Sequence, residues 1–406
     1  MVVVTWVMLF LISAVSVGIF FKPILEEFGW DRATLSSVHT AALVVFALVT
    51  PFLGRFIDRH GPRLMLFICL VTQTLSSVVN GLASGIGHIF AGRLLYEIKS
   101  TQASQVLLNH WFIRKRGKAQ GIAATGMPVG ALLLSPLSQY LVLTWGWRTT
   151  LFFWAGVAFV VLLPLTLMVR NTPDDKGDVP DGRTYGVDSY SESRLAPDSL
   201  ASAVYTLAGA LRSGAFWMLA ATQLICGIGC GFMMTHVVIF ATDIGYTEMI
   251  GATFVSVQGG LNLVGVLVTG HMSDRHARNK VLALTHCIRS VSFFVVVVSV
   301  IAGGGPLWLL YAAMALFGFG WFTTSPLTSG LVADLFGTVR MGTIIGITMS
   351  CHTAGMALGA YAGGITYELT GSYYTFFLVQ GILEFLAAGF ALAVRRPNIR
   401  HKYKNC

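Results

Sequence analysis

Charge is what this sequence has least of. Of 406 residues, 11% are Asp, Glu, Lys or Arg, while 55% are hydrophobic. So few ionisable side chains cannot coat the surface of a water-soluble protein of this length. Cysteine is sparse too: there are six, and five of them (Cys69, Cys226, Cys230, Cys287 and Cys351) sit in apolar segments, with Cys406 terminal. Their spacing gives neither a disulfide framework nor a zinc ligand set. There is no glycine-rich nucleotide loop, nucleophile elbow or metal motif, so no cofactor is called for and an enzyme is not expected.

Long apolar runs are abundant. Twelve stretches of the length that crosses a bilayer as helix fall near 1–23, 33–53, 63–84, 86–111, 118–142, 147–170, 214–241, 249–272, 280–302, 306–333, 340–364 and 372–394. The expected fold is an all-α membrane protein whose solvent is the lipid bilayer. The first run lacks a basic start and a small-residue cleavage site, so it reads as a span and not as a secretory signal.

The formal net charge of +9 would fit a nucleic-acid partner, but its distribution fits membrane topology better. Basic residues cluster at Arg55, Arg59 and Arg63, at Arg114 to Lys118, at Arg275, Arg278 and Lys280, and from Arg395 to Lys404. These are alternate loops plus the C-terminus. The intervening loops carry chiefly Arg32 and Arg148, beside Glu26, Glu27, Asp31, Asp243 and Glu248. The positive-inside rule then puts both termini in the cytoplasm, with the chain in the plasma (inner) membrane. No nucleic-acid partner is expected.

One segment interrupts the apolar pattern. From Asn171 to Ser213 the chain is polar and turn-rich, beginning "NTPDDKGDVPDGRTYGVDSYSESR". It reads as a cytoplasmic linker over 171–213, joining an N-terminal six-helix bundle (1–170) to a C-terminal one (214–396), with a cytoplasmic tail at 397–406. The halves echo each other: "GRFIDRHGPRLML" follows the second span and "GHMSDRHARNKVL" follows the eighth. A repeated half with a repeated loop is the pattern of a transporter built from two related bundles.

These two loops resemble the G-x-x-x-D-R-x-G-R-[KR] signature of the major facilitator superfamily. The first copy keeps its second glycine, Gly61, and the second has Ala277 there. Within that superfamily, "GIFFKPILEEFGWDRATLS" and "HWFIRKRGKAQGIAATGMPVGALLLSP" resemble the monocarboxylate transporter and oxalate/formate antiporter branch, as do "GWRTTLFF" and "GSYYTFFL". The resemblance implies a twelve-helix secondary transporter of two six-helix bundles that works as a single chain. It also implies that the loop residues Asp58, Arg59, Asp274 and Arg275 act in gating. Asp58 is then expected at the start of the eleventh helix and Asp274 at the start of the fifth, where a carboxylate meets the positive end of a helix.

A charge near the bilayer centre costs several kcal/mol, so each one is a functional candidate. Arg289, in "LTHCIRSVSFF", lies nine residues beyond Lys280, or roughly 14 Å deep at about 1.5 Å per residue. Its planar fork suits a carboxylate, and His286 lies one turn earlier on the same face. Two readings stay open: a substrate anchor, or a structural arginine tied to neighbouring helices. The fourth span, "GRLLYEIKSTQASQ", has Glu97 and Lys99 where the superfamily often has glycines. Arg93 and Glu97 share one helical face, while Tyr96, Lys99 and Gln102 share another. Lys99 is therefore a candidate cation for an anionic substrate, and Glu97 either carries a proton or neutralises Arg93. Lys22, in "FFKP", matches a lysine of the outer cavity in the monocarboxylate branch, or else snorkels to the headgroups. His352, His236 and His286 are candidate proton carriers. Trp321, in "GFGWFTTSPLTSG", is a candidate ligand contact in a span whose glycines and Pro326 permit bending.

The branch often holds an arginine in the eighth span, four residues after Asn or Asp. Here Asn262 is present but Val266 follows it. The cation must come from elsewhere, and Lys99 and Arg289 are the candidates. The expected function is uptake or release of a small organic anion, such as lactate or pyruvate, by alternating access with proton symport. Anion exchange and efflux of amphipathic compounds are the alternatives.

Overall fold

The computed structural model describes residues 1–12, 17–30, 32–98, 101–182, 207–301 and 306–394. These residues form seventeen α-helices and no strand. In the N-terminal half, α1 (Val2–Ile12) and α2 (Val17–Phe28) make the first span, α3 (Arg32–His60) the second and α4 (Pro62–Gly81) the third. The fourth span is α5 (Ile86–Glu97) with α6 (Thr101–Trp111), the fifth α7 (Arg116–Ala124) with α8 (Gly126–Trp145), and the sixth α9 (Trp147–Met168). A short α10 (Leu207–Leu211) precedes the C-terminal half. There α11 (Gly214–Asp243), α12 (Glu248–Arg275) and α13 (Arg278–Ile301) are the seventh to ninth spans. The tenth is α14 (Leu307–Gly320) with α15 (Thr324–Phe336), followed by α16 (Met341–Thr370) and α17 (Tyr374–Ala393).

Ten of these spans are long and apolar enough to cross a bilayer as continuous stretches. The other two are the first and the fourth, in which helices of 11 and 12 residues are described on either side of residues 13–16 and 99–100, which lie outside the described residues. The first was expected to end near residue 23, but its helix continues to Phe28. Helix boundaries follow local chemistry. Between α3 and α4, Gly61 takes a φ of 84°, which a side chain would strain, and Pro62 opens the next helix, where its missing N–H costs nothing. Ser213 caps α11 by accepting a hydrogen bond from the Phe216 N–H at 3.2 Å.

Burial is arranged for lipid. Leu48, Phe52, Leu132, Val160 and Leu369 are large, apolar and exposed, while Gln73, Gln102, Asn109, Gln223, Gln380 and Glu384 are buried. A bilayer accepts the first set on the outside, and the second set must find partners inside. The two halves meet at two crossings, α3 against α16 and α7 against α12. Both depend on absent side chains. A Cβ at Gly54 would overlap the Gly342 carbonyl of α16, and a Cβ at Gly117 would overlap Ser273 and the Gly270 carbonyl of α12.

The expected linker is described only at its ends. Two short 3₁₀ turns, Pro173–Lys176 and Pro180–Gly182, open it. The Asp181 carboxylate accepts from the Arg114 N–H at 2.9 Å, holding this strand of chain against the loop after α6. Residues 183–206 and the tail at 397–406 lie outside the described residues.

Candidate functional site

A cavity lies between the halves, partly open to solvent. Leu9 near the end of α1, Thr101 at the start of α6, Ala123 and Ala124 at the end of α7, Met127 at the start of α8, and Phe322 in the turn before α15 all line it. Thr101, Ser104, Gln105 and Leu108 present one helical face of α6 to it, since residues three and four apart stack on a helix. In the tenth span, the Trp321 N–H bonds back to the Gly318 carbonyl at 3.1 Å, a tightened turn, and Thr324 then starts α15. The half-helix α15 therefore begins beside the cavity, between the lining residues Phe322 and Pro326. The N-terminal end of such a helix carries the positive end of the helix dipole.

Below the cavity the halves are closed on the face that carries the basic clusters. The Asp58 carboxylate accepts from the N–H groups of Gly342 (2.6 Å) and Thr343 (2.7 Å) and from the Thr343 hydroxyl (2.5 Å), at the first turn of α16. The Asp274 carboxylate accepts from the N–H groups of Gly117 (2.7 Å) and Lys118 (2.8 Å), at the first turn of α7. Each carboxylate thus sits on a helix start in the opposite half. Asp334 on α15 joins them, taking an ion pair from Arg116 at 3.1 Å and another from Arg278. Arg59 and Arg275, expected in this cluster, are instead exposed at this face. Their place is taken by Arg116 and Arg278, which point along the interface. Further in, the Ser329 hydroxyl donates to Gln120 at 2.8 Å, and the Gln105 amide donates to Ser325 at 2.7 Å. From Asp334 to Ser325 is nine residues of helix, so the closed layer is about 14 Å thick at 1.5 Å per residue.

Arg289 does not line this cavity. It is fully buried inside the C-terminal half. Its Nε donates to Glu384 of α17 at 2.9 Å and its Nη2 approaches the same carboxylate at 2.7 Å. Nη2 also donates to the Cys226 carbonyl of α11 at 3.0 Å, and the guanidinium lies over the Phe317 ring at 4.8 Å. His286 Nδ1 is 2.7 Å from the other Glu384 oxygen. The expected anchor is thus the centre of a sealed network joining α11, α13, α14 and α17, and of the two readings the structural one fits. His286, enclosed with it, has no route to the cavity in this conformation. Glu384 was missed in the sequence, although the cue was present: a carboxylate in the apolar run "GILEFLAAG" costs as much as Arg289 and so predicts a partner.

The other candidates divide similarly. Asn262 is buried and donates to the Gly318 carbonyl at 3.1 Å, binding α12 to α14 away from the cavity lining. Trp321 leans on Phe317, with ring centroids 6.0 Å apart, and its neighbour Phe322 faces the cavity instead. Val266 is buried where the backbone of α12 passes Gly121, so an arginine at that position would have no room there. Glu97 pairs with Arg93 at 2.7 Å, and Arg93 lies over the Tyr96 ring at 4.7 Å. The Tyr96 hydroxyl donates to the Ile12 carbonyl at 3.2 Å. Gln102 is buried on α6 with its Oε1 unpartnered. His236 has both ring nitrogens engaged, with the Ala360 carbonyl (2.8 Å) and the Tyr373 hydroxyl (3.2 Å). His352 is half-buried, with Nδ1 3.2 Å from the Gln223 carbonyl of α11. Lys99 lies outside the described residues, as does the Lys22 side chain. On the opposite face, the hydrogen bond from Arg148, aided by a lesser one from Trp147, holds the Glu27 carboxyl below its usual value against the opposing effect of burial.

Comparison with known proteins agrees with this architecture. A sequence profile described as the Major Facilitator Superfamily matches residues 1–360. An uncharacterised MFS-type transporter of Bacillus subtilis (strain 168), YcxA, is 24% identical over 87% of this chain and 84% of its own length. Human monocarboxylate transporter 11 is 26% identical over 91% of this chain and 76% of its own. Chicken (Gallus gallus) monocarboxylate transporter 4 is 22% identical over 93% and 78%. Among solved structures, the human organic anion transporter MFSD10 superposes with a TM-score of 0.74 at 16% identity, covering 96% of this chain and 98% of that one. The Escherichia coli fucose:proton symporter FucP gives 0.71 at 15%, covering 98% of both. At such identity the structural matches speak for the fold alone.

Proposed function

The chain belongs to the Major Facilitator Superfamily of membrane transporters, and on that premise we propose that its cargo is a small organic anion, a monocarboxylate such as lactate or pyruvate, carried together with a proton. The observation that carries this reading is the start of α15 between the cavity residues Phe322 and Pro326, where the tenth span is interrupted. A half-helix N-terminus inside the membrane favours a negative group there. The apolar lining of Leu9, Leu108, Met127 and Phe322 suits a short carbon body. The names of the monocarboxylate transporter relatives support the same class.

Lys99 supplies the full positive charge in this account. It precedes Thr101 by two residues in the sequence, and with Arg289 committed to Glu384 it is the remaining cation of the pair the sequence nominated. For the proton, Glu97 and His352 are the better carriers, because His236 and His286 already have their ring nitrogens engaged or enclosed. The basic face is cytoplasmic in this reading, so the conformation is closed inward, with Asp58 and Asp274 as latches that open when the halves rock. The functional unit is one chain.

Ligand binding tests the anion reading directly. Short carboxylates bound to the folded protein raise its melting temperature. Purified wild-type protein is expected to be stabilised by millimolar lactate or pyruvate, more at acid than at neutral pH, and Lys99→Ala is expected to weaken binding tenfold or more. Equal stabilisation of wild type and Lys99→Ala would contradict the role given to Lys99. Stabilisation by amphipathic cations and by no carboxylate would favour an efflux carrier.

A further inference from the structure

Two glutamines at the cavity have each spent half of their amide on the opposite bundle and keep the other half for the cavity. Gln105, on α6, donates its Nε2 to Ser325 on α15 at 2.7 Å. Ser325 donates onward to Met349 Sδ at 3.8 Å, which leaves its oxygen as the acceptor for Gln105 and fixes the orientation of that amide. Gln120, on α7, accepts at its Oε1 from Ser329 at 2.8 Å. Both glutamines are more than nine-tenths buried, and both line the cavity. The remaining atoms, Gln105 Oε1 and Gln120 Nε2, have no hydrogen-bond partner among the described residues. Buried polar atoms are nearly always partnered, so such a pair calls for a ligand or water.

The two unpartnered atoms are complementary in kind. Gln105 Oε1 needs a donor, and Gln120 Nε2 needs an acceptor. Both amides are held from the same helix, by Ser325 and Ser329, which are four residues apart and so share one face of α15. A hydroxyl group donates to one atom and accepts from the other. A ketone or carboxylate oxygen satisfies Gln120 and leaves Gln105 facing a second acceptor. An unsubstituted chain satisfies neither.

We propose that Gln105 and Gln120 form a specificity subsite that reads a hydroxyl group on the transported acid, so that the preferred cargo is a short hydroxy acid and not its oxo or unsubstituted analogue. This rests on the anion-transport reading of the same cavity and narrows it. A site that hydrogen-bonds a substrate hydroxyl rejects the analogue without it, because its own polar groups are then left buried and unpaired.

The test is uptake by the full chain in proteoliposomes of four three-carbon acids: propanoate, 2-oxopropanoate, 2-hydroxypropanoate and 3-hydroxypropanoate. The wild type is expected to take up at least one hydroxy acid with a kcat/KM about tenfold or more above that of propanoate and of the oxo acid. In Gln105→Leu and Gln120→Leu, which keep the side-chain volume, that ratio is expected to fall to within about threefold while propanoate uptake persists. Propanoate uptake in the variants reports that they fold and cycle. A hydroxy preference that survives both substitutions overturns the subsite. A wild type that transports all four acids equally also overturns it, since the two amides are then simply hydrated, yet the anion reading stands. If none of the four is taken up by the wild type, the anion reading fails and the subsite fails with it. Should the leucine variants be inactive on every acid, the wild-type ratio alone decides.

Discussion

An arginine in the middle of an apolar helix has to be answered by something, and Arg289 is answered by Glu384, 95 residues away in sequence. Sequence position alone flags the charge but not its partner, because the pairing depends on how α13 and α17 pack. The most apolar window of α13 is 61% buried, as much as that of α11. Breaking a buried pair from one side leaves an uncompensated charge, at about 3–5 kcal/mol. Glu384→Ala is therefore expected to lower the thermal stability of the purified protein sharply, and the double variant Arg289→Met/Glu384→Leu to recover most of the loss. If Glu384→Ala melts like the wild type and instead raises KM for the carboxylate, Arg289 belongs to the substrate site after all. Lys99 remains legible only in sequence. Gln105 and Gln120, by contrast, carry no mark there, since an uncharged amide in a span costs little and its role appears only once both reach α15.

At the scale of elements, the spans were readable because a bilayer demands about 20 apolar residues and little charge. The interruption of the tenth span was not. It lies beside the cavity, and only the glycines and Pro326 of that span hinted at it. The repeated loop was readable as a repeat, and its geometry gives it a partner in each case: Asp58 on the start of α16, Asp274 on the start of α7. The arginines of the cluster were not, because Arg116 reaches Asp334 across the interface and Arg278 reaches it from another helix of the same half, pairings that only the packing decides. The closed face needs bare backbone at Gly117, where a side chain would overlap Ser273 and the Gly270 carbonyl. Gly117→Val is expected to hold this face apart and to cut uptake more than tenfold, while leaving the melting temperature within a few degrees. Full activity in that variant would show that the α7–α12 crossing is not part of the transport cycle.

The molecule as a whole is two bundles that share a cavity and a set of contacts on the face that carries the basic clusters. From Asp334 inward to Ser325 the halves are zipped, and beyond that layer the cavity begins. Rocking the halves about the cavity would exchange this closed layer for one on the opposite face, which is the alternating-access cycle of the superfamily. The energetic demand is modest at each step. The latches are a few charge-assisted hydrogen bonds, each worth about 1.5–3 kcal/mol, so the gradient of one co-transported proton and the binding of one anion can shift the balance between the two states.

The measurement that bears most directly on this account is uptake of radiolabelled lactate and pyruvate by purified protein in proteoliposomes, with and without an imposed pH gradient. The account predicts accumulation of at least one of these acids, driven by acid outside and abolished when the gradient is collapsed. Failure of either acid to enter, or entry at a rate indifferent to the gradient in both directions, would contradict it.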